Sequence, residues 1–367
     1  MKIPYWKDWP HVLEMQQFRP QDLMAIIHHA SVFEEALHRD EPLPRLSRKR
    51  RRANGGKKRR RVRTLFYEAS TRTATTFLDA LHELECSAHD VQDPGEFSSA
   101  AKGESRRAGV ASYITDGDIR GCDGVIIRDK EEGASHNAAD VVETILGMKF
   151  KQRPLFVING GDGKGQHPTQ ALVDLTTISR HRIGHEHFLD DLTVLFPGEL
   201  DKSRVVNSLL YAFGKFSGHR IRVKFCCPRG MGPKMDLLEY LTRHQVPYEF
   251  VVERDFAKAI EGVDIVYMTR VQRERKQPGK RSIKINRDAY VFRAEYLPRL
   301  KKGAFIMHPL PINEDPDDPP SEIDPELSPL ALCGDPRCVW LKQSHRGLPV
   351  RAALLDLIFA GLDAQQK

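Results

Sequence analysis

The chain has 367 residues, of which 40% are hydrophobic and 29% charged, and its formal net charge at pH 7 is +7. A chain of this size can bury a large core, and its length indicates two domains. No apolar run approaches the ~18–20 residues that span a bilayer, and the first residues lack the apolar core of a signal peptide, so we expect a cytoplasmic protein with no membrane partner. The six cysteines are too few for a disulfide framework and no metal-ligand cluster is evident, so no cofactor and no metal are expected.

The positive charge is concentrated in residues 45–63. This segment holds twelve Lys/Arg and no acid, so the rest of the chain carries a net charge of −5. Such a segment would bind polyanions in a salt-dependent way, but no aromatic residue is interleaved to stack on bases. Three interpretations stay open: a solvated insertion, contact with nucleic acid or another acidic partner, and a nuclear localisation signal. We expect no nucleic-acid contact outside this segment.

Apolar runs alternate with helical patterns along the chain. Predicted strands cover residues 64–67, 124–128, 154–158, 192–196, 221–226, 248–252, 264–268 and 304–308. Predicted helices include residues 74–84, 169–179, 203–216, 234–244 and 349–362. This alternation predicts an α/β fold with two doubly wound parallel-sheet domains. We expect the first domain at residues 1–180, with a C-terminal helix at 345–367 packing back on it, and the second at 181–344.

The first functional pattern is Ser70-Thr71-Arg72-Thr73, between the first predicted strand and a helical segment. A helix N-terminus offers unpaired N–H groups and partial positive charge, and hydroxyls and a guanidinium add donors, so this turn suits a phosphate dianion. The simpler interpretation is an N-cap serine followed by a solvated arginine.

Further polar clusters follow other predicted strands, where ligands of open α/β sheets bind. They are Arg128, the turn at 159–163, the helix start at 166–170, and the segments 267–272 and 308–311. Each cluster alone is weak evidence, because most strand-end arginines and single histidines are not ligands. Together with Arg72 and Arg204 they place several cations, one histidine and two glutamines at positions that face a ligand, which suits a substrate with several negative oxygens.

These motifs resemble those of aspartate transcarbamoylase catalytic chains, within the aspartate/ornithine carbamoyltransferase family, from about Trp9 to Gly361. The motifs that carry the resemblance are Phe-Tyr-Glu-Ala-Ser-Thr-Arg-Thr (66–73), Lys-Gly-Glu (102–104), Asn-Gly-Gly-Asp-Gly-Lys-Gly-Gln-His-Pro-Thr-Gln (159–170), Tyr-Met-Thr-Arg-Val-Gln (267–272) and His-Pro-Leu-Pro (308–311). The resemblance implies an active site between two domains. It also implies carbamoyl transfer to L-aspartate, giving N-carbamoyl-L-aspartate and phosphate, a step of pyrimidine biosynthesis.

By the same resemblance, the first domain binds carbamoyl phosphate. The implied phosphate ligands are Ser70, Thr71, Arg72, Thr73 and Arg128. Thr73, Arg128 and His167 would polarise the carbamoyl C=O. Gln170 would hold the carbamoyl nitrogen, and Leu310 and Pro311 complete the implied set.

The second domain, by resemblance, binds L-aspartate. Arg204 and Arg270 would clamp its two carboxylates, with Gln272 assisting, and the Leu310 carbonyl would lie near the reacting amine. Ser98 and Lys102 match residues that enter the site of a neighbouring subunit, with Lys102 also in the aspartate set. A homotrimer with shared sites is therefore implied, and a regulatory subunit is left open.

Some positions depart from the family pattern. Ala74, Ala101 and Ile312 stand where a second Arg, a second Lys and an Arg are common. Two alternatives to the aspartate enzyme stay open: a transcarbamoylase for another amine such as ornithine, and a weakly active or non-catalytic protein that binds polyanions through residues 45–63. Arg270 favours an acidic amine substrate over a cationic one.

Overall fold

The fold is taken from a computed structural model of the chain. It describes residues 6–7, 9–47, 59–92, 106–115, 122–147, 155–182, 188–251, 256–269, 286–312, 321–327 and 334–365. The chain divides into two compact units. Unit 1 comprises Met1–Thr176 and Arg346–Lys367, and unit 2 comprises Thr177–His345. No helix in the described ranges combines the length and the apolarity of a membrane-crossing segment.

Unit 1 contains a parallel sheet with the strand order β2-β1-β3-β4 in the described residues. Its strands are β1 (Arg61–Phe66), β2 (Ser87–Gln92), β3 (Gly124–Asp129) and β4 (Phe156–Asp162). Every residue of β3 and β4 is buried, as expected of central strands with both faces covered. The chain passes from β2, on one side of β1, to β3 on the other, so the sheet has a topological switch point between β1 and β3.

The helices of unit 1 are α1 (Pro20–His38), α2 (Thr71–Glu83), α3 (Arg106–Thr115), α4 (Ala134–Gly147), α5 (Pro168–His181, which continues into unit 2) and α10 (Gly347–Ala364). The C-terminal helix α10 is apolar on nearly all sides and contacts both α1 and α2. A helix buried all round is a core element rather than a surface one. It therefore belongs to the core of the unit that the N-terminal residues form.

Unit 2 contains a second parallel sheet, with the order β7-β6-β5-β8-β9 in the described residues. Its strands are β5 (Thr193–Pro197), β6 (Arg222–Cys226), β7 (Tyr248–Phe250), β8 (Ile265–Tyr267) and β9 (Phe305–Met307). Its helices are α6 (Arg204–Lys215), α7 (Met235–Arg243), α8 (Phe256–Ala259) and α9 (Trp340–His345). The switch point of this sheet lies between β5 and β8.

The two parallel-sheet α/β domains predicted from the sequence are confirmed. The strand prediction missed β2, whose sequence Ser-Ala-His-Asp-Val-Gln has no apolar run. As an edge strand, β2 pairs with β1 on one side only, so it needs fewer buried side chains than the central strands. The helix predicted at 74–84 begins earlier, at Thr71, so the phosphate motif forms the first turn of α2 itself.

Candidate active site

The Ser70–Thr73 motif forms the N-terminus of α2. Ser70 is the N-cap in an extended conformation (φ −157°, ψ 94°), and its hydroxyl makes no capping hydrogen bond. Thr71 and Arg72 are exposed, whereas Thr73 is buried. The first-turn N–H groups therefore keep their partial positive charge without a side-chain cap from Ser70, which suits a bound anion.

Arg128 lies at the carboxyl end of β3, beside the end of β1, where it pairs in register with Phe66. It is 9% exposed. Its Nη1 donates to the Gly160 carbonyl at 3.1 Å, and its Nη2 lies 3.2 Å from Glu68 Oε2. Two neighbours, one on β4 and one in the turn after β1, therefore hold the guanidinium at the switch point of the sheet.

His167 links α5 to α2. It is 4% exposed and immediately precedes Pro168, the first residue of α5. Its Nε2 lies 3.4 Å from Thr73 Oγ1, and its Nδ1 lies 3.4 Å from Thr169 Oγ1. Both contacts are long for hydrogen bonds, but they fix the plane of the imidazole between two threonines.

Gln170 lies one turn further along α5. Its Nε2 donates to Asp174 Oδ1 at 3.0 Å, and Asp174 is fully buried. Because the amide nitrogen donates its hydrogen bond to Asp174, the amide oxygen is the end of Gln170 that can accept a hydrogen bond from a ligand.

The predicted residues of unit 2 that the structure describes are Arg204, Leu310 and Pro311. Arg204 is the first residue of α6, after the turn that follows β5. Leu310 follows β9 in a left-handed conformation (φ 53°), and its N–H donates to His308 Nδ1 at 2.8 Å. The buried His308 thus shapes the turn that orients the Leu310 carbonyl, a role that the sequence analysis did not assign to it.

Four predicted site residues lie outside the described residues: Ser98, Lys102, Arg270 and Gln272. Thr269, next to Arg270, is described, and its Oγ1 donates to the Pro197 carbonyl at 2.5 Å. This bond joins the two strand ends at the switch point of unit 2.

Two of the positions that depart from the family pattern are buried. Ala74 packs in unit 1 at 4% exposure, and Ile312 belongs to the hydrophobic core of unit 2. Ala101 lies outside the described residues. Small or apolar side chains therefore fit the surroundings of Ala74 and Ile312 in this chain.

Sequence reasoning missed Glu68, Asp174 and Arg351. Asp174 could have been found, because Gln170 and Asp174 have the i, i+4 spacing of interacting helical side chains. Arg351 had a weaker signal, a single cation near the start of an apolar helical segment. In the part of the chain that the structure describes, no group of three or more His, Cys, Asp or Glu side chains could hold a metal ion.

These features define an α/β protein of two parallel-sheet units, with donors that suit a phosphate-type anion gathered at the switch point of the first. Family profiles agree: the carbamoyl-P binding domain of aspartate/ornithine carbamoyltransferases matches residues 10–180, and their Asp/Orn binding domain matches residues 190–358. The chain belongs to the aspartate/ornithine carbamoyltransferase family.

The most similar relatives include aspartate carbamoyltransferases. A chloroplastic one from Arabidopsis thaliana is 35% identical over 298 residues, covering 81% of this chain and 67% of the relative. A catalytic subunit from Thermoplasma acidophilum is 35% identical over 293 residues, covering 80% and 83%. The sequence-based resemblance to this family is confirmed.

Solved structures give the same result. The catalytic subunit of M. jannaschii aspartate transcarbamoylase has a TM-score of 0.71 and 29% identity, covering 94% of this chain and 96% of that one. Aspartate transcarbamoylase from Trypanosoma cruzi in complex with aspartate and phosphate has a TM-score of 0.73 and 25% identity, covering 97% of each chain.

Proposed function

We propose that this protein transfers the carbamoyl group of carbamoyl phosphate to the amine of L-aspartate, giving N-carbamoyl-L-aspartate and phosphate. The observation that carries the proposal is the convergence of the α2 N-terminus, Arg128 and His167 on one switch point, in a chain whose relatives are aspartate carbamoyltransferases. The complexes of the Trypanosoma cruzi enzyme with carbamoyl phosphate and with aspartate and phosphate concern the same pair of substrates.

In this proposal unit 1 holds carbamoyl phosphate. Ser70, Thr71, Arg72, Thr73 and Arg128 bind the phosphate oxygens. A charge-assisted hydrogen bond contributes ~1.5–3 kcal/mol, so a few such bonds account for selective binding of a dianion. The amide oxygen of Gln170 accepts a hydrogen bond from the carbamoyl NH₂, because the amide nitrogen of Gln170 is already bonded to Asp174.

The reaction is an acyl transfer. The neutral aspartate amine attacks the carbamoyl carbon, a C–N bond forms, and negative charge grows on the carbonyl oxygen. Thr73, Arg128 and His167 stabilise that oxygen, and removing one fixed donor from such a site costs ~3–4 kcal/mol of barrier. The C–O bond to phosphate then breaks, and phosphate leaves with the bonding electrons and accepts the amine proton.

Unit 2 provides the aspartate-binding groups in this proposal. Arg204 and Arg270 bind the two carboxylates, with Gln272 assisting, and the Leu310 carbonyl, with Pro311 beside it, orients the amine. The hydrogen bond from the Leu310 N–H to His308 supports this role, because it holds the turn that orients the carbonyl. In this proposal both residues 1–180 and residues 181–344 contribute groups to the active site.

A direct assay tests the proposed reaction. Purified protein is incubated with carbamoyl phosphate and either L-aspartate or L-ornithine, and carbamoylated amine and released phosphate are quantified. We expect equal amounts of N-carbamoyl-L-aspartate and phosphate, and background product with ornithine. Preferred carbamoylation of ornithine would reassign the amine. No turnover, together with no binding of N-(phosphonacetyl)-L-aspartate, would favour a non-catalytic protein.

We further propose a homotrimer in which Ser98 and Lys102 enter the neighbouring subunit's site. Lys102→Ala and Arg270→Ala chains, each inactive alone, then regain activity when mixed, because hybrid trimers contain some sites with both native residues. Mixing Arg72→Ala with Arg270→Ala is the matched control: both residues belong to the same chain's site, so no native site forms. Equal activity of the two mixtures, with exchange verified, would contradict shared sites.

The proposed setting is the cytoplasm and the pathway of pyrimidine biosynthesis, with no cofactor. Plant relatives are named chloroplastic, so fractionation of source cells with an antibody against the protein is the direct check of location. Residues 45–63, most of which lie outside the described residues, are proposed to be a solvated insertion. Salt-dependent retention on an immobilised polyanion that is lost when the segment is deleted would favour a polyanion partner instead.

A further inference from the structure

Two charged side chains are buried behind the phosphate motif. Arg351, on the apolar helix α10, is 3% exposed, and Asp174, on α5, is 0% exposed. Burying charged groups carries a large desolvation cost unless they are paired and hydrogen-bonded. The contacts of these two residues show what offsets that cost.

Arg351 reaches the backbone of the phosphate motif through one hydroxyl. Its Nη1 donates to Thr76 Oγ1 at 2.7 Å, and Thr76 Oγ1 donates to the Arg72 carbonyl at 2.7 Å. A threonine hydroxyl donates once and accepts up to twice, so both bonds form together. The guanidinium also lies over the Phe77 ring, 5.1 Å from its centroid. Arg351 therefore holds α2 by two adjacent residues.

A glycine makes room for this arrangement. Gly347 lies one turn before Arg351 on α10, and a Cβ built there would lie 2.6 Å from Arg351 Nη1 and 3.2 Å from Thr76 Cγ2. Close packing of this kind restricts the guanidinium to the position from which it reaches Thr76.

The charges of the site act on Arg351. Burial, together with the nearby charges of Arg72 and Arg128, lowers the pKa of Arg351 to about 9, and the Asp174 carboxylate opposes this shift. Arg351 is thus within electrostatic range of both arginines of the phosphate site and of the carboxylate that holds Gln170. A bound dianion would relieve the repulsion among the three cations.

We propose that Arg351 is a positioning residue for the carbamoyl-phosphate site, holding the first turn of α2 through Thr76 and adding positive charge behind it, while Asp174 sets the orientation of the Gln170 amide. The inference rests on the proposed function, which it extends to two residues without substrate contact. Arg351 acts on the phosphate end of the substrate, and Asp174 acts on the carbamoyl end.

The test separates these two ends with two ligands, inorganic phosphate and carbamoyl phosphate. Affinity for phosphate is measured by thermal shift and titration calorimetry, and KM and kcat for carbamoyl phosphate are measured at saturating aspartate. For Arg351→Met we expect phosphate affinity to fall about tenfold and KM for carbamoyl phosphate to rise similarly. Arg351→Lys keeps the charge and should recover part of both.

Arg60→Met is the matched control. Arg60 is a buried arginine that lies 4.5 Å over the Phe359 ring of the same helix and pairs with Asp363, but it precedes β1, at the opposite end of the strand from the phosphate motif. The Arg60→Met substitution should lower Tm and leave the affinity for phosphate unchanged. Equal phosphate affinity in folded Arg351→Met and in the native protein would overturn the proposal.

Asp174→Ala tests the carbamoyl end. We expect kcat/KM for carbamoyl phosphate to fall about tenfold while phosphate affinity changes less than about twofold, because Gln170 contacts the carbamoyl group alone. Equal losses for both ligands would refute the assignment to Asp174.

If Arg351→Met fails to fold, Thr76→Val tests the same contact. It removes the hydroxyl that links Arg351 to α2, and unchanged phosphate affinity would overturn the proposal.

Phosphate affinity also separates this inference from the proposed function. If native protein binds phosphate and Arg351→Met loses that binding while neither carbamoylates an amine, the proposed reaction fails and the positioning role stands. If the native protein is active and Arg351→Met retains native KM and phosphate affinity, the reaction stands and the positioning role fails.

Discussion

The two units build one strand-to-helix turn on a shared plan and use it differently. In each, a strand at the switch point leads to a serine N-cap, Ser70 or Ser203, that makes no side-chain capping bond. In unit 1 four residues separate the end of β1 from the start of α2, and the phosphate motif itself forms the first turn of the helix. In unit 2 a longer turn intervenes, and Arg204 is the first helical residue.

The environment of the two turns explains the difference. The unit 1 turn is surrounded by Arg128, His167 and the buried Arg351, which suits an anion with three oxygens on one centre. The unit 2 turn is tied to its neighbours by backbone bonds from Leu200 and Asp201 to the Met231 carbonyl. Under the proposed function, the helix N-terminus of unit 1 itself binds the phosphate, whereas the helix N-terminus of unit 2 positions Arg204 for an aspartate carboxylate.

The largest effects on activity are expected from replacing one arginine in each unit. Arg72→Ala should reduce kcat/KM by more than about 100-fold, because the phosphate dianion loses both the hydrogen bonds and the positive charge of the guanidinium. Phosphate should then no longer raise the Tm of the protein. Arg204→Ala should raise KM for aspartate by a comparable factor while phosphate still raises Tm. The exposed Arg39→Ala, at the end of α1, is the control. Loss of phosphate protection in Arg204→Ala would contradict the division between the units.

Gly198→Ala tests the packing of the unit 2 switch point. Gly198 has φ +102°, and a Cβ there would lie 2.6 Å from Thr269 Oγ1. Gly230→Ala is the matched control, because Gly230 has φ +81° but no atom within 4 Å of a built Cβ. Backbone strain costs ~1–2 kcal/mol in both, and the clash adds ~1–3 kcal/mol in Gly198→Ala alone.

The calorimetric Tm of Gly198→Ala should therefore fall further than that of Gly230→Ala. KM for aspartate should rise in Gly198→Ala with KM for carbamoyl phosphate unchanged, since Thr269 adjoins Arg270. Equal Tm losses in the two variants would show that the Thr269 side chain moves away from the added methyl group without loss of stability.

The smallest expected effect concerns Glu68, the anion that lies 3.2 Å from Arg128. Its side chain is partly exposed, so its pairing energy is small, and Glu68→Gln should tighten phosphate binding by about two- to fivefold because Arg128 no longer has a competing carboxylate. Glu83→Gln, at the other end of α2, controls for the change in net charge. Weaker phosphate binding in Glu68→Gln would instead mean that Glu68 chiefly positions Arg128.

Local patterns predicted much of the fold because the central strands are apolar runs and the helices are amphipathic. β3 and β4 were predicted within two residues at their starts, since both are wholly buried. β2 was missed, because an edge strand can be polar. The phosphate motif was read correctly as a helix start, but its helix was predicted to begin at residue 74 rather than at Thr71.

The candidate site also contains residues that the sequence predicted and partner residues that it did not. Gln170 was predicted through family motifs, yet the partner that orients its amide, Asp174, had only a helical spacing to indicate it. Arg351 pairs with Thr76 across 275 positions of sequence, a contact that no local pattern encodes.

By itself, the order of residues determined the two α/β domains and the family, because burial period, turn residues and short motifs are local properties. The return of the C-terminal helix to the first domain was also expected from its apolar pattern, but only the folded unit shows which face of α2 that helix meets and that Arg351 lies behind the phosphate motif. Packing of an all-apolar helix depends on which surfaces are left to cover it, and that is known only once the whole unit is assembled.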